Sequence, residues 1–180
     1  PVNAAADTFE IELIGTGSHG ARPHEGADPI VGMGSLIGEL QTIVSRRLNP
    51  STAGVVSVGE ARAGAAPNVI PDRAFLSGTI RSFDPETREL LHREVKRIAE
   101  SVEAVHRLTA SVKLAKGSPP VVNKEKPVAW ARRAVTSLLG ESALAQLGFL
   151  NMGGEDFAYY LERVPGCFLR IGAREDGGEV

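Results

Sequence analysis

The chain has 180 residues, 42% of them apolar, with 20 basic and 22 acidic side chains and a formal net charge of −2. That balance supports a packed core and argues against disorder; with no basic block, it also argues against nucleic acid and membrane as partners. No apolar run approaches the ~20 residues of a membrane span, and Cys167 is the only cysteine, so an internal disulfide is excluded and a reducing, cytoplasmic setting is expected.

The first predicted element is a strand over 8–15, where Phe9, Ile11 and Leu13 alternate with polar neighbours. Residues 15–24, "GTGSHGARPH", then crowd two histidines, an arginine and three glycines into a turn-prone stretch. Asp28-Pro29 reads as a helix N-cap with proline at the first helical position. Ile30, Met33, Ile37, Leu40 and Val44 follow at helical spacing, Arg46 and Arg47 suit the last turn, and Asn49-Pro50 stops the helix. "GVVSVG" (54–59) is a second strand, "EARAGAAPNVIPD" a loop, and "RAFLSGTIRS" (73–82) a third strand. Asp84-Pro85 repeats the helix-start signal, and Leu91, Val95, Ile98, Val102 and Val105 line one face. A fourth strand covers 108–116.

The order β-α-β-β-α-β is that of an α+β, ferredoxin-like sandwich: a four-stranded antiparallel sheet, strand order 4-1-3-2, with two helices on one face. Residues 1–116 make this domain. Residues 117–180 change character: a linker, a helix near 128–139, a short helix after "MGGEDF", and a strand at 167–171. One helix and one strand make only an incomplete α/β segment, and the ends at Pro1 and after "DGGE" are expected to be cuts in something longer.

Periodicity carries no chemistry, so the candidates come from polar residues in constrained loops. His19, flanked by glycines, could donate to a developing oxyanion, although an ordinary surface histidine has the same appearance. His24 precedes Glu25 and could simply pair with it, and His92 and His106 read as solvated positions of the second helix. No two histidines have metal-site spacing, so no metal ligand is assigned. Asn68, between two prolines, could hold a carbonyl or merely bond its own backbone. Arg81, near the end of the third strand, could bind a carboxylate bidentately or sit at the surface. Glu155 lies where a helix begins, where capping alone would explain it.

Three stretches, "FEIELIGTGSHGARPHEGADPI", "APNVIPDRAFLSGTIRSF" and "MGGEDFAYYLERVPGCFLRIG", resemble in order and spacing the metal-dependent amidohydrolases. That family includes hippurate hydrolase, auxin-conjugate hydrolases, N-acyl-amino-acid aminoacylases and carboxypeptidase-G-like metallopeptidases. The resemblance implies a lid and dimerisation domain followed by part of a catalytic domain. It gives His19 a catalytic role in polarising the scissile carbonyl, and Asn68, Arg81 and Glu155 substrate-binding positions. It also implies two divalent metal ions (zinc, manganese or cobalt) in the parent protein, none in this chain, a small N-acyl amino acid or peptide substrate, and a homodimer formed through the lid. The family's metal ligands and general base match no position here, so the chain alone is expected to be inactive. The competing expectation is a stand-alone ferredoxin-like dimerisation or small-ligand-binding module without catalysis.

Overall fold

The computed structural model describes residues 1–146 and 148–172. Strands β1 (Ala5–Ile14), β3 (Gly54–Ala63), β5 (Arg73–Ser82) and β6 (Thr109–Ala115) form one antiparallel sheet in the order β3-β5-β1-β6. Two short strands, β2 (Ser18–His19) and β4 (Val69–Ile70), form a separate ribbon. Helices α1 (Pro29–Thr42) and α2 (Pro85–His106) pack on each other and on the same face of the large sheet. The sandwich, its strand order and its one-sided helices are those the sequence pattern predicts.

Local chemistry explains the boundaries. The Asp28 carboxylate accepts from the Ile30 and Val31 amides at 2.8 and 3.4 Å, and Asp84 accepts from Thr87 N–H at 2.8 Å. Each aspartate satisfies first-turn donors that have no partner within the helix, and Pro29 and Pro85 need no such partner. Helix α2 ends at Arg107, a non-glycine residue in the left-handed region with φ 56°.

The core lies between the sheet and the two helices. Phe9, Ile11 and Leu13 from β1, Leu76 and Ile80 from β5, and Leu91, Val95 and Ile98 from α2 are all buried. Thr8 and Glu10, out of phase with them, are exposed on the bare face. Burying one such side chain contributes roughly 1.5–3 kcal/mol.

Several boundaries and faces differ from the sequence expectation. The first strand begins at Ala5, and β3 runs on to Ala63 past a bulge between Val58 and Glu60, so the loop expected from residue 60 is strand for four more positions. The bulge lets one extra residue pass while pairing with β5 continues. The α1 core face is Gly32, Leu36, Leu40 and then Ile43, whereas Ile30 and Val44 are 42% and 38% exposed. A buried glycine adds nothing to an apolar pattern, so the pattern put the face one stripe away. Beyond Thr42 the chain continues as a π-turn, Ile43–Arg47, in which Arg47 pairs with Glu94 on α2 at 3.2 Å.

Beyond β6, α3 (Glu125–Leu139) starts three residues earlier than expected, and α4 (Ala158–Arg163) is the short helix. The strand expected at 167–171 does not form. Asn123 instead holds Phe168 through two hydrogen bonds, 2.8 and 3.0 Å, and among the described residues no strand pairs with this segment. Helix α3 buries no residue, and Trp130, Leu138 and Leu139 are 53%, 81% and 69% exposed.

The ring of Phe9 covers Gly78, where a Cβ would approach to 2.4 Å. Phe9→Ala is expected to cost about 3–5 kcal/mol in chemical denaturation; a loss below about 1 kcal/mol would remove Phe9 from the centre of the core.

Candidate functional site

The paired order makes β1 and β3 parallel, since each runs antiparallel to β5. The loops that follow them therefore leave the sheet at the same end. There they join: Ser18 pairs with Ile70 and His19 with Val69, and Gly20 N–H donates to the Asn68 carbonyl at 2.8 Å. The glycine at 20 serves this approach rather than a left-handed turn, because a Cβ there would meet the Asn68 carbonyl oxygen at 3.1 Å. A further bridge between Thr16 and Ala27 closes the first loop.

His19 and Asn68 thus stand side by side and exposed, fixed through their backbones. The His19 Nδ1 accepts from Ala21 N–H at 3.1 Å. In the neutral ring the hydrogen then sits on Nε2, which is left as an outward donor. His24 lies 3.9 Å from Glu25 in an exposed pair, as its place in the sequence suggests.

Arg81 and Glu155 lie at the other end. Arg81 is half-buried on β5, opposite Ala6 on one side and Val55 on the other. The loop at 153–155 comes up against it, so that a Cβ on Gly154 would be 3.3 Å from Arg81 Nη1. Glu155 Oε1 accepts from Phe157 N–H at 3.1 Å, the local bonding expected just before a helix. The eight steps from Arg73 to Arg81, at about 3.3 Å each, separate the two ends of β5 by roughly 26 Å. The structure therefore brings His19 and Asn68 together at one end and sets Arg81 beside the loop that carries Glu155 at the other, so the four candidates do not form one site.

A separate buried cluster contains none of the four candidates. Asp7 on β1 is 1% exposed. Its carboxylate accepts from Arg88 Nε at 2.7 Å, from Arg88 Nη2, and from Gly117 N–H at 2.9 Å; His92 Nε2 lies 2.6 Å away. His92, expected to be solvated, is buried. Burial raises the Asp7 pKa, but the hydrogen bonds from Arg88, Gly117 and His92 outweigh it and hold the carboxyl below the usual range. A signal is present in the sequence: Asp7 lies in phase with Phe9, Ile11 and Leu13, an acid on an apolar stripe.

Among the described residues, no group of three or more His, Cys, Asp or Glu side chains is placed to hold a metal ion. Residues 4–107 match the peptidase dimerisation domain of the M20 family. The chain belongs to the M20 peptidases through this domain.

The chain is 41% identical over 181 residues to the N-acetyl-L-cysteine deacetylase of Bacillus subtilis, covering 98% of this chain and 42% of that protein. It is 37% identical to an IAA-amino acid hydrolase of Arabidopsis thaliana, with coverages of 96% and 40%. A solved Bacillus subtilis structure, described as a dinuclear metal binding peptidase of the M20 family, superposes with a TM-score of 0.72 at 32% identity, over 92% of this chain and 40% of that one. The M20 dimerisation domain and the segment after it thus span less than half the length of these relatives. The described residues contain no group of metal-ligating side chains that would correspond to the dinuclear centre of that peptidase.

Because its folded pKa is depressed, Asp7 stabilises the fold above its unfolded pKa of about 3.9, and that contribution is lost as pH falls through the lower folded value. Acid unfolding of Asp7→Asn should therefore show a shallower loss of stability below about pH 4 than the native chain. Equal slopes in pH-dependent urea melts would contradict the assignment.

Proposed function

We propose that this chain is the lid of a metal-dependent amidohydrolase, with the start of its returning catalytic segment. The parent cleaves the amide bond of N-acyl amino acids or small peptide-like substrates. The deacetylase and amino-acid-conjugate hydrolase relatives support this class. Two divalent ions, zinc, manganese or cobalt, would activate the water and polarise the carbonyl from parts of the parent beyond these residues. Without them the chain hydrolyses nothing.

The observation that carries the reading is the separation of the two residue pairs. An N-acyl amino acid is about two residues of extended chain, roughly 7 Å, and cannot bridge roughly 26 Å of sheet. Arg81 and Glu155 lie where the chain joins the catalytic segment and serve their own subunit's substrate. His19 and Asn68, at the far end, serve the partner subunit's active site. There the Nε2–H of His19 donates to the oxygen that gains charge as the carbonyl is attacked, and Asn68 holds the acyl group.

This division requires a homodimer, and β3 is the edge that fits. Residues 54–58 carry no charge, while Glu60 and Arg62 guard the edge beyond the bulge. Above this edge, Gly34 and Gly38 leave a flat patch on α1, with nothing within 4 Å of an added Cβ. Pairing of two β3 strands about a twofold axis joins the sheets into one.

Two measurements follow. Ser57 is exposed on β3, and Ser57→Lys sets like charges near each other at the twofold. The variant should sediment as a more monomeric species while keeping its helical circular dichroism; unchanged association removes β3 from the interface. In the full-length parent, His19→Ala and a variant disabled at the metal centre should each be inactive. Mixed dimers of the two should regain about half the native activity, because one of two sites then holds both intact parts. No recovery, although subunits demonstrably exchange, would place His19 in its own subunit's site.

A further inference from the structure

At the joint between the dimerisation domain and the C-terminal segment the incoming and outgoing chain are hydrogen-bonded to each other, with one isolated bridge between Asn3 and Val121. The incoming chain at 2–6 and the outgoing chain at 117–121 run antiparallel: Ala6 N–H donates to Ser118 at 3.0 Å, Val2 N–H to Val121 at 2.8 Å, and Val121 N–H to Asn3 at 3.1 Å. The 151–154 loop is tied to the same pair. Ala4 N–H donates to the Asn151 carbonyl at 3.0 Å and Asn3 Nδ2 to the Gly153 carbonyl at 3.1 Å.

The buried Asp7 cluster closes on this joint. Asp7 accepts the Gly117 N–H, and Arg88 Nη2 donates to the Gly117 carbonyl at 3.1 Å, so both backbone groups of one residue are held. His92 Nε2 donates to Asp7, because a carboxylate can only accept. One turn of α2 is thereby committed to residue 117, and Glu89 on the same turn pairs with Lys116. Glycine is required at 117, where a Cβ would stand 2.2 Å from the Ala6 carbonyl oxygen. On the opposite face of the joint, a Cβ on Gly154 would meet Ala6 Cβ at 2.6 Å, Ser118 Oγ at 3.1 Å and Arg81 Nη1 at 3.3 Å.

A buried ion cluster adds little net stability compared with apolar packing, because desolvation offsets the attraction. What it supplies is geometry. We propose that Asp7, Arg88 and His92 are a lock on the joint, fixing the outgoing segment to α2 and thereby holding the 153–155 loop against Arg81. The three are positioning residues.

Amide hydrogen exchange on the whole 180-residue chain, followed by NMR, tests it. In Asp7→Asn, the amides of Ala4, Ala6, Gly117 and Val121 should exchange at least about tenfold faster, by a common factor, as one opening unit. Those of Leu76, Ile80, Val95 and Ile98 in the core should accelerate only by the factor that the variant's loss of global stability, read from urea melts at the same pH, accounts for, and several-fold less than the joint amides. His92→Phe, which keeps the volume and removes one donor, should show the same coordinated pattern at smaller amplitude, and it stands as the test if the first variant does not fold. Uniform acceleration across the core would make the cluster a general stabiliser. Acceleration at Gly117 alone would make it a local cap. Either result overturns the lock.

Discussion

The antiparallel pairing of β5 with both β1 and β3 is the constraint on which the rest of this structure depends. Ten residues of β1 lie opposite ten of β5, and the register fixes which side chains enter the core. A slip of one position would turn Phe9, Ile11 and Leu13 to solvent and bring Thr8, Glu10 and Glu12 inside. It would also expose Asp7, which shares the inward phase of the strand. With β5 between them, β1 and β3 are parallel, and the loops that follow must meet at one end.

In the proposed function this geometry separates two kinds of work. The end carrying the β2–β4 ribbon presents His19 and Asn68 on backbones held by cross-loop hydrogen bonds. The end carrying the chain's connections holds Arg81, the 153–155 loop and the Asp7 cluster. The first end is exposed and has little buried apolar support, as suits groups that meet another surface. The second is tied by buried charge and paired backbone, as suits a joint between two parts of one chain. The exposed apolar side chains of α3 lie on that second part, and in the proposed parent the remainder of the catalytic domain covers them.

Much of the fold is legible in the sequence because its signals are local. Asp28-Pro29 and Asp84-Pro85 each mark a helix start through a carboxylate and an imino acid acting within one turn. The alternation of Phe9, Ile11 and Leu13 reports a strand half-buried on one face. The meeting of His19 and Asn68 is legible only through topology, as a consequence of the strand order. Of the Asp7 cluster only the acid on the apolar stripe is legible, since its partners Arg88 and His92 lie 81 and 85 positions away and look like ordinary helix-surface residues. The 167–171 strand fails for the opposite reason: its composition suits a strand, but the described residues offer it no ladder. Glu155 is intermediate, because capping and substrate binding place the same acid at the same spot.

The two ends divide their work only if the two loops meet because β1 and β3 are parallel. Nuclear Overhauser contacts across the β2–β4 ribbon in this chain measure that most directly. Backbone contacts between Ser18 and Ile70, and between His19 and Val69, are the predicted result, with the Gly20 amide protected from solvent exchange. Absence of those contacts, with the core sheet intact, would leave His19 and Asn68 on independent loops and contradict the division of the two ends.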